Sequence, residues 1–171
     1  NQTFRRLFRS ETVSGADGIG VRDVTVLFTD LKGSTALYER IGDLKAFALV
    51  QRHFERLAVV VAERGGAIVK TMGDAVMAFW NAPLDDPDHP RHACEAALSM
   101  VTALEQLNAQ LARGDEKIGR PLAPLAIGIG INTGMCCVGN MGSDQRFDYS
   151  VISDEVNVAS RLEGQSEMYG V

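Results

Sequence analysis

The 171-residue chain has no stretch approaching the roughly 20 consecutive apolar residues of a bilayer span, and its start, NQTFRRLFRS, lacks the apolar run of a secretory signal. A cytoplasmic location is the resulting expectation. Cysteine is scarce: Cys94, Cys136 and Cys137 are odd in number, and the adjacent pair fits neither a zinc spacing nor a disulfide framework. All three are expected to be small core residues in a reducing compartment. Positive charge is also short, with 17 Lys and Arg against 22 Asp and Glu, a net charge of −5 and a pI near 5.2. Nucleic acid is thereby excluded as the main partner, because binding its backbone requires a basic surface. A small anion held through a metal stays open. Glycine-rich as it is, GIGINTG lacks the Gly-Lys-Ser/Thr of a P-loop and the spacing of GxGxxG, so it reads as strand and turn. There is no initial methionine, no internal repeat and no low-complexity tract. We expect an excised piece of a longer protein.

What is present suits one core: 46% of residues are hydrophobic and 23% charged. Residues 1–20, arginines followed by SGADGIG, have the composition of a linker or N-terminal arm, and residues 21–171 that of the domain. Residues 22–29 predict a buried strand. From 34 to 64 apolar positions recur at helical spacing (Leu37, Ile41, Leu44, Phe47, Ala48, Phe54, Leu57, Val61), with a break expected at Gly42. AIVKTM and AVMAFW, joined through Gly73-Asp74, predict a hairpin, and residues 91–113 a second long helix. PLAIGIGINTG and MCCVGNMG predict another hairpin whose glycines mark close backbone approach, and residues 154–163 a short last helix. The order fits the α+β class: a ferredoxin-like βαββαβ sandwich with an additional C-terminal hairpin and helix.

In that topology the third strand runs antiparallel beside the first. Asp30 ends strand one and Asp74 precedes strand three, so the fold would bring two distant carboxylates together. Without a cation they repel; with a shared Mg²⁺ both are favourable. The plainer alternative is that Asp30 caps the next helix and Asp74 makes the hairpin turn. The loop LKGST places a glycine and two hydroxyls where a helix begins, next to N–H groups that suit an anion; ordinary capping by Ser34 or Thr35 is compatible with this. On the last helix Val156, Val158, Ala159 and Leu162 share one arc, while Asn157, Ser160 and Arg161 point away from the core. Arg161 offers a planar fork suited to phosphate, unless this is simply a solvated face. Ser153 is a candidate N-cap of that helix. His89, His92 and Cys94 form a superficially metal-like cluster, better explained by capping and solvent exposure at a helix start.

FTDLKGST, KTMGDAVMAF, GINTGMCCVGNMG and RFDYSVISDEVNVASRLEG, in this order over about residues 22–171, resemble the class III nucleotidyl cyclase family. The resemblance implies a head-to-tail homodimer with the active site at its interface. Asp30, Leu31 and Asp74 would hold two Mg²⁺ or Mn²⁺ ions from one subunit, and Leu31, Lys32, Gly33, Ser34 and Thr35 would hold the β and γ phosphates. Lys70, Ser150, Asn157 and Arg161 would come from the other subunit, with Arg146 a further phosphate candidate. The reaction implied is attack of the ribose 3′-hydroxyl on the α-phosphorus of ATP, giving 3′,5′-cyclic AMP and pyrophosphate. Arg161 would neutralise the transition-state phosphoryl and Asn157 orient the ribose. Adenine N1 is an acceptor that the Lys70 ammonium can meet, whereas guanine N1 carries a hydrogen; Ser150, where relatives often have Asp or Thr, serves either base. The alternatives are a guanylate cyclase and a non-catalytic nucleotide-binding dimerisation module of the same fold. The family places a further triphosphate-binding lysine beyond Val171, and regulatory domains are expected elsewhere in the parent chain.

Overall fold

A computed structural model describes residues 20–113, 122–143 and 146–169. Its elements are β1 (Gly20–Leu31), α1 (Ser34–Ile41), α2 (Asp43–Glu63), β2 (Ala67–Met72), β3 (Ala75–Trp80), α3 (His89–Ala112), β4 (Ile127–Ser143), β5 (Arg146–Ile152) and α4 (Asp154–Tyr169). The sheet order is β2-β3-β1-β4-β5, antiparallel throughout. This is the expected ferredoxin-like order with β5 added at one edge. The sheet curls until its edge strands β2 and β5 approach one another.

β1 reads as an almost continuous apolar run because both its faces are covered. Val24, Val26 and Phe28 pack with Met77, Phe79, Val138, Val151 and Ala159 on the α4 side. Leu27 packs with Leu57, Val61, Ala93, Ala96 and Met100 on the α2 and α3 side. Each large side chain fully buried in these layers contributes about 1.5–3 kcal/mol. Among the described residues no helix is long and apolar enough to cross a membrane.

The break falls at Gly42, whose φ of 83° and ψ of 154° are not helical. It resets the helical phase. The buried stripe of α2 is therefore Ala46, Leu49, His53, Leu57 and Val61, while Leu44 and Phe47, expected inside, are 88% and 73% exposed. The first hairpin has the expected strands, with Gly73 at φ 64° in its turn. The second differs from expectation. β4 continues through Thr133-Gly134, and its hairpin partner is β5, so PLAIGIGINTG and MCCVGNMG are not two arms of a turn. Gly130 is required for packing: a Cβ there would collide with the α4 backbone at Ala159 and Glu163. The anticipated close backbone approach is thus a helix lying on the sheet.

α4 extends six residues beyond the predicted end, from 163 to Tyr169. Its inward line runs Ala159, Glu163, Ser166 over Gly128 and Gly130, which leaves Leu162 at 45% exposure, outside the core. Ser153 does cap it, accepting from the Glu155 N–H at 3.1 Å while donating to the Met135 carbonyl at 2.9 Å. Of the cysteines only Cys136 is in the core; Cys94 and Cys137 are exposed. His89 is not solvent-exposed either. It is buried, with Nδ1 2.7 Å from the Thr25 hydroxyl, and fastens the start of α3 to β1. His92 pairs instead with Asp86 at 2.7 Å, so the three residues of the metal-like cluster diverge. Asp88, the residue before α3, makes no side-chain cap.

Candidate active site

Thr29 pairs with Val76 in the β1–β3 ladder, so Asp30 is the next residue outward on β1, and Asp74 lies two residues outward from Val76 in the turn at the same end of the sheet. Their carboxyl groups are in direct contact. Burial, then the Asp74 charge, raises the Asp30 pKa, partly offset by the Leu31 N–H, which donates to Asp30 Oδ1 at 3.0 Å. Asp74 Oδ2 is buried and has no hydrogen-bond partner. A partly buried pair of acceptors with one oxygen wholly unsatisfied is unfavourable alone and favourable around a cation, so the donor set fits a hard divalent ion. No group of three or more His, Cys, Asp or Glu among the described residues could hold such an ion. Two carboxylates leave coordination positions for water and substrate oxygens, as Mg²⁺ prefers. Of the alternative roles, Asp30 bonds its own neighbour rather than capping α1, whereas Asp74 does stand in the β2–β3 turn, beside Gly73 in the left-handed conformation.

Immediately after Asp30 the chain turns through Gly33 at φ 67°, and α1 starts with no side-chain cap. Ser34 and Thr35 therefore do not cap the helix, which leaves its first N–H groups without a side-chain cap. Lys32 reaches the other way, donating to the Ser166 carbonyl of α4 at 3.2 Å. Leu31 is buried in the core below.

The remaining predicted residues lie elsewhere. Lys70 is exposed on edge strand β2, in register with Met77. Ser150 is half-buried on β5 opposite Gly139. Asn157 and Arg161 are exposed on α4, one turn apart, with Arg161 Nε donating to the Asn157 carbonyl at 3.3 Å. The Arg146 side chain lies outside the described residues, as do residues 1–19. Asp30, Asp74 and the loop to Thr35 are thus one locus, and Asn157 with Arg161 a second.

Sequence reasoning missed Tyr38 and His53, which flank Asp74 from α1 and α2. Burial, then Asp74, pushes the Tyr38 phenol up to about 12, while burial drives His53 down to about 4 against the opposing pull of Asp74. The available signal was a histidine inside the apolar stripe of α2. Asn132 was missed as well; its amide bonds the Glu155 carbonyl at 3.1 Å and carboxylate at 2.5 Å, seating α4 on β4.

The model of the adenylate and guanylate cyclase catalytic domain matches residues 20–171, and the chain belongs to that family. It is 39% identical over 150 residues to adenylate cyclase 1 of Rhizobium meliloti (strain 1021), covering 87% of this chain and 22% of that protein. With the adenylate cyclase of Anabaena cylindrica it shares 35% over 149 residues, 87% of this chain and 28% of that one. The chain spans about a quarter of the length of these relatives. Among solved structures, the guanylyl cyclase Cya2 superposes with a TM-score of 0.78 at 34% identity, over 86% of this chain and 72% of that chain. The adenylyl cyclase CyaB from P. aeruginosa gives 0.72 at 33%, over 85% and 73%.

Proposed function

We propose that this domain is an adenylate cyclase that converts ATP to 3′,5′-cyclic AMP and pyrophosphate at sites shared between two copies of the chain. The observation that carries the reading is the contact of Asp30 with Asp74, one oxygen buried and unpartnered, beside an uncapped helix start. Asp30, Asp74 and the Leu31 carbonyl would hold Mg²⁺ or Mn²⁺. Two such ions, when bound, would lower the pKa of the ribose 3′-hydroxyl and neutralise the triphosphate.

The chain's own residues supply the rest. N–H groups from Gly33 to Thr35 receive the terminal phosphates, with the helix dipole behind them. Lys70 donates to adenine N1 and Ser150 accepts from the exocyclic amine. Asn157 orients the ribose, and the Arg161 fork faces the phosphoryl group where negative charge accumulates. Lys70, Asn157 and Arg161 are all exposed, which supports their acting on a nucleotide held by a second copy. GTP is the competing substrate, since guanylyl cyclases are among the structural neighbours and Ser150 serves either base.

Incubation with Mn²⁺ and equal ATP and GTP tests the assignment. Cyclic AMP should predominate, and Asp74→Asn should lower turnover by at least ~10²-fold. Equal or greater cyclic GMP would refute the base assignment; undiminished turnover by Asp74→Asn would refute the metal role.

A further inference from the structure

Tyr38 Oη, His53 Nε2 and Asp74 Oδ2 come from three separate elements, and each is buried without a hydrogen-bond partner. An orphaned buried polar atom is costly, so a group of them around one carboxylate calls for a reason. A carboxylate only accepts, and Asp30 beside it only accepts, so neither can satisfy the other. Tyr38 carries the hydrogen both lack. Its ring is packed against the cluster that contains Ile41 and Leu49, and Tyr38 shares an open groove of about 250 Å³ with Gly73, the residue preceding Asp74. Tyr38 thus stands beside the β2–β3 turn on a packed base. His53 is a weaker candidate, because it does not line the groove that Tyr38 shares with Gly73.

We propose that Tyr38 is a positioning residue whose hydroxyl donates to the Asp74 carboxylate and fixes the orientation in which that carboxylate meets a divalent cation. The inference rests on the metal-binding reading of the aspartate pair. Such bonds behind a metal ligand lengthen in the empty site and tighten on loading, which explains a donor and an acceptor so close and yet unbonded. The hydroxyl would then set metal affinity without touching nucleotide.

The test follows Mn²⁺ binding to the full chain by electron paramagnetic resonance, with an ATP analogue whose α,β-bridge cannot be cleaved, alongside the Mn²⁺ dependence of turnover. Tyr38→Phe keeps the ring and removes one oxygen. It should weaken Mn²⁺ binding and raise half-saturating Mn²⁺ by about tenfold, with kcat at saturating metal within about twofold and the melting temperature unchanged. Unchanged Mn²⁺ affinity in Tyr38→Phe overturns the proposal. So does a loss seen only in Tyr38→Leu, which would assign the effect to ring packing. Asp74→Asn separates the two levels: if it binds Mn²⁺ like wild type, the metal site itself falls and Tyr38's role with it. If Asp74→Asn is weak while Tyr38→Phe is unaffected, only the role of Tyr38 falls.

Discussion

His53 sits where a leucine would be expected, 2% exposed in the middle of the α2 stripe with Nε2 unsatisfied. Burial holds it neutral, with its pKa down at about 4 against 6.5 in the unfolded chain. The unfolded state therefore binds a proton more readily, and the stability contributed by the neutral form, present above pH 6.5, is lost as pH falls toward 4. Integrated over that window the loss is roughly 3 kcal/mol. Denaturant titrations of wild type and His53→Leu at pH 7 and pH 4.5 should show a shallower decline for the variant; parallel declines would show that other groups carry the acid sensitivity. A similar tension holds at Asp30, whose pKa is raised first by burial and then by the Asp74 charge.

Glycine placement decides how the elements join, and the reasons differ from site to site. Gly42 separates α1 from α2 through a backbone conformation open to few other residues, whereas Gly130 matters because α4 lies directly on it. Gly130→Ala should destabilise by about 1–3 kcal/mol through overpacking, lowering the melting temperature by several degrees. Gly164, on α4 itself, has nothing within 4 Å of where a Cβ would be, so Gly164→Ala should stabilise by about 0.5–1 kcal/mol. Equal effects in calorimetry would contradict this packing of α4 on β4. The helical period of 34–64 was legible in the sequence, and so was its interruption. The register after the break was not, because Gly42 reset the phase and turned Leu44 and Phe47 outward.

For the assembled molecule, the separation of the two loci makes the sharpest prediction. If each active site takes Asp30 and Asp74 from one copy and Asn157 and Arg161 from the other, Asp74→Asn and Arg161→Ala should each be inactive. Mixed in equal amounts with free exchange, they should recover about a quarter of wild-type turnover, since half the dimers are mixed and each has one intact site of two. No recovery in a mixture shown to exchange subunits would place all four residues in one copy. Unequal exposure across the domain fits the shared arrangement: the carboxylates are tucked at the sheet end, while Lys70, Asn157 and Arg161 project outward.

By itself the sequence determined what depends on local period and chain order: the succession of elements, the Gly73-Asp74 hairpin, and, through topology, the convergence of Asp30 with Asp74. The tertiary structure decided what packs on what. Cys94, Cys137 and Leu162 were expected inside and lie outside, His89 was expected outside and lies inside, and β4 runs past a glycine that looked like a turn. Burial belongs to the neighbour as much as to the residue, and those neighbours are distant along the chain. For the same reason Tyr38 and His53 became visible only when α1, α2 and the β2–β3 turn closed around one carboxylate.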